Sequence, residues 1–288
     1  MTNNIHVVTH DGKFHPDEIY ACVLLAFFKN AKIRFTRTRD EKKLERYKNK
    51  RDVYVIDVGG EYRSSMLNFD HHQSTFTTVN ANGNVMSSCG LIFNHLKYDV
   101  ERLPKSIAAK IETFVDNLDK HDNGVEYFRE VEFVSLYNSS ASKHRFLNAF
   151  KAACTHFQNL LGRWYEEYRM ELLEEEVLDS LQDGVLYSDD MISITPRMNA
   201  NPNAKVLVAK RNDTEYFIKS LNEGEAIDFS MRCPAPKSWR GLSGRDLEKA
   251  SGFEGMVFSH KSGFLTIVKG NKDQAVAVAR YIVENQGH

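Results

Sequence analysis

Adjacent histidines directly after an aspartate, as in Asp70-His71-His72 within the run Asn68–Gln73, are costly to place in a fold without a use. Two further islands carry the same chemistry. One is Thr9-His10-Asp11-Gly12-Lys13-Phe14-His15-Pro16-Asp17-Glu18, and the other is Val55-Ile56-Asp57-Val58-Gly59-Gly60. Imidazole and carboxylate together suit a divalent transition metal such as Mn²⁺. Four or more such groups converging point to two ions sharing a bridging carboxylate, an arrangement that activates water against phosphate esters. Each residue alone has a plainer reading. Loop His and Asp side chains often hydrogen-bond backbone, and an Asp ending a strand often caps a turn. Their coincidence in three islands, each after an apolar run, favours the metal reading.

The elements that must position these groups are legible around them. Ile5–Thr9, Lys32–Thr38 and Val53–Asp57 read as strands, with helices from Asp17 to about Lys29 and from Asp40 to Tyr47 between them. That β-α-β-α-β order implies a parallel sheet with right-handed crossovers. Sites in such sheets lie at the carboxyl ends of strands, where His10 and Asp57 fall. Ser88–Tyr98 and Pro104–Lys120 read as further helices. In the second, Ile107, Ile111, Phe114, Val115 and Leu118 recur at helical spacing. Asp119 and Asp122 extend that stripe, whereas Asp116 joins Glu112 on the wet face. Asp119 lies inside the expected helix and Asp122 precedes Asn123-Gly124, where the helix should be ending, so Asp119 is favoured as a ligand.

Lys143–Leu181 reads as one or two long helices, with Gly162 as a possible break, and its acidic run Glu171–Glu176 as a solvated face. Beyond it, Val185–Tyr187, Ile192–Thr195, Lys205–Lys210, Tyr216–Lys219, Met256–Ser259 and Phe264–Val268 read as short strands. Asn199–Asn203 reads as a turn, and Lys272–Glu284 as a closing helix. The expected architecture is α/β: a parallel-sheet catalytic domain over residues 1–140, a helical connector over 141–184, and a smaller α+β domain over 185–288.

Composition narrows the classes. With 288 residues, 42% hydrophobic and 27% charged, the chain fits a soluble globular protein. A formal net charge of −1 argues against a whole surface built for nucleic acid, so any phosphate binding needs a local patch. Cys22, Cys89, Cys154 and Cys233 are widely spaced and read as reduced thiols of a cytoplasmic protein. The apolar run Ala21–Phe28 is too short to span a bilayer. Walker A, G-x-S-x-G, G-x-G-x-x-G and zinc-finger spacings are absent, which removes the usual sequence support for those chemistries.

Taken in order, the motifs resemble the melanocyte proliferating gene family of DHH-like exonucleases, a branch of the DHH phosphoesterase superfamily. The resemblance rests on T-H-D-G-K-F-H-P-D-E (9–18), R-T-R-D (37–40), D-V-G-G-E-Y (57–62), D-H-H-Q-S-T-F (70–76), S-C-G-L-I-F (88–93), F-V-D-N-L-D-K-H-D-N-G-V (114–125), W-R-G-L (239–242) and S-G-F-E-G-M-V-F-S-H-K-S-G-F (251–264). It implies a DHH-like, metal-dependent phosphodiesterase with two divalent ions, Mn²⁺ or Mg²⁺, and in some members a 3′–5′ exonuclease on RNA. Carried onto this chain, His10 and His15 would bind one ion, and Asp17 and His71 the other. Asp57 and either Asp119 or Asp122 would contact both. Asp70 would orient a histidine, and His72 would face the scissile phosphate or the attacking hydroxide that bridges the ions. Arg240 and the segment His260, Lys261, Ser262 and Gly263 would hold substrate. The plainer reading of that last region is turns at Gly241 and Gly263 with Trp239 as packing. Two alternatives share the scaffold: a phosphodiesterase of dinucleotides or cyclic dinucleotides, and a binding protein without catalysis.

Overall fold

The computed structural model describes residues 3–140, 142–223 and 230–285. The chain divides into two compact units, Met1–Tyr168 and Arg169–His288, each with one five-stranded sheet and flanking helices. In the first, β1 (Asn3–Thr9), α1 (Pro16–Phe28), β2 (Ala31–Arg37), α2 (Glu41–Lys48), β3 (Val53–Ile56), β4 (Tyr62–Arg63) and β5 (Asn68–Phe69) build one sheet and its flanking helices. The sheet order is β2-β1-β3-β5-β4. Strands β2, β1, β3 and β5 run parallel, and β4 closes the edge antiparallel to β5. Strands β4 and β5 are two residues each, too short for alternation to reveal them in the sequence.

Central β1 is covered on both faces, which is why Val7 and Val8 are both fully buried. One face packs on α1, where every residue from Pro16 to Leu25 is buried. The other packs Val8, Val53 and Val55 against Leu44 of α2. Proline in the first turn and Asp17 and Glu18 beside it open α1 where a helix accepts both.

Four helices follow: α3 (Ser88–His95), α4 (Lys97–Val100), α5 (Lys105–Asp122) and α6 (Glu132–Leu136). The stretch expected as one helix over 88–98 divides at Leu96. The apolar stripe of α5 is buried as its spacing predicts, but Asp116 is buried too. Asn80 and Asn84 each donate to it at 2.7 Å, and Lys120 pairs with it at 3.1 Å, so polar partners cover what the helical wheel left to water. Helix α7 (Arg145–Asp179) is continuous for 35 residues, through Gly162 without a break.

The second unit holds β6 (Val185–Ser188), α8 (Pro196–Ala200), β7 (Val206–Asn212), β8 (Glu215–Ser220), α9 (Gly244–Ser251), β9 (Met256–Ser259), β10 (Leu265–Lys269) and α10 (Lys272–Glu284). Its sheet order is β6-β7-β8-β10-β9, antiparallel except for the β6–β7 pair. Ala275, Val278, Ala279 and Ile282 of α10 pack on one face, in a core with Trp239. Residues Ile192–Thr195 do not form the expected strand. Thr195 instead accepts the Met198 N–H at 3.2 Å and caps α8, which also takes up the start of the expected Asn199–Asn203 turn. Cys22, Cys89 and Cys233 are buried and Cys154 is half-buried, and none of the four is in a disulfide. Among the described residues no helix is long and apolar enough to cross a membrane.

Candidate functional site

The carboxyl ends of β1, β3 and β5 place His10, Asp57 and the Asp70–His72 triplet side by side. Asp57 is the centre. It follows β3 with φ of 60°, the left-handed region that a non-glycine residue adopts at a cost. The residue is 3% exposed. Asp57 Oδ2 lies 3.2 Å from His10 Nε2, and Oδ1 lies 3.3 Å from His71 Nε2. Ser88 Oγ, at the start of α3, donates to Oδ1 at 2.9 Å and also to the Phe69 carbonyl at 3.2 Å. Burial pushes the Asp57 carboxyl upward, but the hydrogen bond to His10 and the facing His71 imidazole overcome it and hold the group below the usual carboxylate range.

The loop after β1 and the start of α1 supply the next groups. His10 is buried and also touches Glu18 Oε1 at 3.0 Å. Burial disfavours its imidazolium, yet the bonds to Asp57 and Glu18 prevail and raise its pKa to about 10. Glu18 accepts the Thr9 hydroxyl and, at 3.2 Å, the His15 N–H, so it ties the loop to the first turn of α1. His15 is exposed, and its ring lies 5.9 Å from that of His10. Asp17 is 1% exposed, and neither carboxylate oxygen has a hydrogen-bond partner among the described residues. Burial, then repulsion from Asp57, Asp122 and Glu18, raises its pKa well above the ordinary value.

His71 Nε2 faces three carboxylates: Asp57 at 3.3 Å, Asp122 at 3.4 Å and Asp17 at 4.0 Å. His72 is largely exposed, and its Nδ1 bonds Asp70 Oδ1 at 2.8 Å. Asp70 in turn accepts the Gly60 N–H at 2.6 Å, so the backbone turn after β3 sets the carboxylate that orients His72. The bond to Asp70 raises the His72 pKa.

Three sets have side-chain donor atoms within 4.8 Å of one another: His10, His15 and Asp57; Asp57, His71 and His72; and His15, Asp17 and Asp122. Asp57 is common to two of them, and so is His15. Buried carboxylate oxygens without donors, beside imidazole nitrogens, fit divalent cations in both ligand type and charge.

Of the two late aspartates, the structure brings Asp122 to this cluster and holds Asp119 away, reversing the preference read from sequence. Helix α5 persists through Asp122 rather than ending before it. Asp119 is fully buried behind α3, where Oδ1 accepts the Ser87 N–H at 2.8 Å and the Ser87 hydroxyl at 2.7 Å, and Oδ2 accepts from Asn80 at 3.2 Å. Gly90 permits this approach, since a Cβ there would meet Asp119 Oδ1 at 2.5 Å. Sequence reasoning missed Glu18 and Ser88. A helix-opening Glu and a serine N-terminal to a helix look like caps, and only tertiary contact shows what else they touch.

The residues named in the second unit form their own cluster. Trp239 is buried and stacks on Tyr281, its ring centroid 5.4 Å away, so it is a core residue of that unit. Arg240 Nε donates to the Ala235 carbonyl at 2.8 Å, and its terminal nitrogens have no hydrogen-bond partner among the described residues. Gly263, with φ of 84°, lets the backbone pass where a Cβ would lie 2.9 Å from Arg240 Nε. His260 Nδ1 bonds Ser262 Oγ at 2.8 Å, and Lys261 is exposed.

Comparison with known proteins follows the same residues. The model of the family MYG1_exonuc, described as Uncharacterised protein family (UPF0160), matches residues 6–283. A MYG1 protein of Chlamydia muridarum is 28% identical over 98% of this chain and 97% of its own length. A MYG1 exonuclease of Rattus norvegicus is 26% identical over 89% of this chain and 79% of its own. Among solved structures, a pGpG-specific phosphodiesterase from Vibrio cholerae covers 98% of both chains at 12% identity, with a TM-score of 0.33, too low to bear on fold or chemistry. The family match runs from β1 into α10, and the chain therefore belongs to the MYG1_exonuc family.

Proposed function

We propose that this chain is a divalent-metal-dependent phosphodiesterase that removes nucleotides from the 3′ end of RNA or of short oligonucleotides. The observation that carries the chemistry is Asp17: a buried carboxylate without a hydrogen-bond donor, packed toward two more carboxylates and two imidazoles. A lone buried charge is too costly to keep without a partner, and a cation is the partner this set fits. His10, His15 and Asp57 would hold one ion, and Asp17, His71 and Asp122 a second, with Asp57 facing both. When bound, such ions, Mn²⁺ or Mg²⁺, supply a nucleophile at neutral pH and offset charge on the transferring phosphoryl group.

The protein's own groups do the rest. Ser88 fixes Asp57 through Oδ1, and Glu18 ties the loop of His10 and His15 to the first turn of α1. Asp70 accepts a hydrogen bond from Nδ1–H of His72, which leaves Nε2 of the protonated ring free to donate to a phosphoryl or leaving oxygen. Arg240 and the His260–Gly263 loop would hold phosphates of the strand through the guanidinium and the glycine backbone. The exonuclease reading, the preference for RNA and the 3′–5′ direction follow the family resemblance.

Purified protein with Mn²⁺, Mg²⁺ or EDTA, given RNA, DNA and dinucleotides labelled at either end, tests this. The expected result is metal-dependent release of mononucleotides from the 3′ end of RNA. Cleavage confined to dinucleotides would favour the small-nucleotide alternative. Failure to cleave any phosphodiester with either ion would overturn the proposal.

A further inference from the structure

Two guanidinium groups in the first unit converge on one carbonyl beside the loop that carries His10 and His15. Arg37, at the end of edge strand β2, places both terminal nitrogens 3.4 Å from the Gly12 carbonyl. Arg145, the first residue of α7, approaches the same oxygen at 3.5 Å and holds the Asn138 carbonyl at 3.1 Å. The contacts to Gly12 are long, and one carbonyl cannot neutralise two cations. No carboxylate lies within ion-pair distance of either arginine among the described residues. The carboxylates that act on Arg37 at longer range are engaged elsewhere: Glu18 with His10, Thr9 and His15, and Asp11 with Arg39 at 3.8 Å.

Arg37 is also fixed in place. Its guanidinium carbon sits 4.3 Å from the centre of the Phe146 ring and 5.4 Å from that of Phe14, and its buried Nε has no hydrogen-bond partner. Asn138 bonds both the N–H of Phe14 at 3.0 Å and its carbonyl at 2.7 Å, which ties this wall to the metal-binding loop. A cavity of about 520 Å³ opens here, lined by Phe35, Arg37, Lys143, His144, Arg145 and Phe146. Lys143 and His144 are exposed at its rim. Three cationic side chains and His144 line one hollow that has no carboxylate in its wall, a local basic patch on a chain of net charge −1. The R-T-R-D stretch over 37–40 has no part in the metal cluster, and Arg37 gives it one beside it.

We propose that Arg37 and Arg145, with Lys143 and His144 at the rim, form an anion subsite that grips a phosphate group of the substrate strand next to the metal centre. Paired guanidiniums on two different elements offer the forked donors that phosphate oxygens accept. The phosphate is either an internal phosphodiester or a terminal monophosphate. The subsite rests on the reading of the chain as a phosphodiesterase acting on nucleotide chains.

The test uses the full chain and fluorescein-labelled hexaribonucleotides, with and without a 5′-phosphate. Binding is followed by anisotropy in EDTA over a salt series, and cleavage is followed separately in Mn²⁺. Arg37→Gln and Lys143→Gln are compared with wild type, with Arg37→Lys as the charge-keeping control. Arg37→Gln should bind about tenfold more weakly and raise KM alike, with kcat within about twofold. For each lost phosphate contact the log–log salt slope should fall by about 0.7. Arg37→Lys should recover most of the slope. A defect present without the 5′-phosphate assigns an internal phosphodiester, and one confined to the 5′-phosphorylated oligomer assigns the terminal group. If Arg37→Gln does not fold, the exposed Lys143→Gln decides through the same slope. Unchanged affinity and slope in the folded variants, or a wild type that binds neither oligomer, overturns the subsite. A wild type that binds but never cleaves overturns the enzymatic reading and leaves the subsite to the binding result.

Discussion

Replacing Asp17 with Asn should stabilise the metal-free protein and abolish its stabilisation by Mn²⁺. The amide is isosteric with the carboxylate, and neither carboxylate oxygen has a hydrogen bond to lose. What changes is one buried negative charge. Ligand atoms of Asp17 and Asp122 lie within 4.8 Å of each other. Two unit charges at that separation repel by roughly 3 kcal/mol at an effective dielectric of about 20. Protonation of Asp17, whose pKa is raised, relieves part of this in wild type. A gain of about 1–3 kcal/mol at neutral pH is therefore expected, or some 2–10 °C in Tm for a domain of this size. With Mn²⁺ the order should invert. Wild type rises by RT ln(1 + [Mn²⁺]/Kd), about 2.7 kcal/mol at a hundredfold excess over Kd, while the variant gains little. Thermal melts in EDTA and in graded Mn²⁺, with metal content by elemental analysis, measure both halves. An Asp17→Asn protein less stable than wild type in EDTA, or equally stabilised by Mn²⁺, would refute the reasoning.

Asp122→Ala should lose bound Mn²⁺ while Asp119→Ala keeps it, as elemental analysis of the two purified proteins would show. Asp119 should contribute to the pH dependence of stability instead. Burial, opposed by the Ser87 and Asn80 hydrogen bonds, raises its pKa from 3.8 to about 6. The unfolded chain then loses its proton first, so this residue costs stability as pH rises from about 4 to about 6, on the order of 3 kcal/mol in full. Denaturant titrations of metal-free protein should show that slope shrink in Asp119→Asn. Ser88→Ala removes the hydroxyl donated to Asp57 Oδ1, and kcat/KM should fall about tenfold to a hundredfold with the fold intact by circular dichroism. Arg240→Ala should raise KM for RNA without changing metal content, and loss of folding in its place would make Arg240 a structural residue of the second unit.

The regular elements of both sheets were legible where period and punctuation agree. The closing helix runs from Lys272 to Glu284 as its pattern predicts, because Asn271 and Gln274 form a capping box before an apolar stripe. Strand-end placement also brought His10, Asp57 and His71 into one expected neighbourhood. What failed were judgements that depend on a partner from elsewhere in the chain. Asp116 is buried because the loop bearing Asn80 and Asn84 folds over it, and no helical wheel records a loop. Asp119 looked better anchored than Asp122, yet being held firmly by Ser87 is what takes it out of the cluster. Ile192–Thr195 has the composition of a strand, but the capping role of Thr195 decided its conformation.

The unbroken helix α7 has a consequence for how the chain acquires its structure during synthesis. Phe157, Leu160, Leu161 and Trp164 complete the large core of the first unit, while Val177, further along the same helix, packs in a core of the second. A nascent chain that has emerged only as far as residue 140 holds every group of the metal cluster but lacks one wall of the core behind it. Vectorial folding of that unit therefore waits until the polypeptide has left the ribosome through about Tyr168, inside a helix and not at a linker. A recombinant fragment cut at 140 would expose the apolar faces that Phe157 and Trp164 cover, and would aggregate. One that keeps the helix to Asp179 carries its core complete.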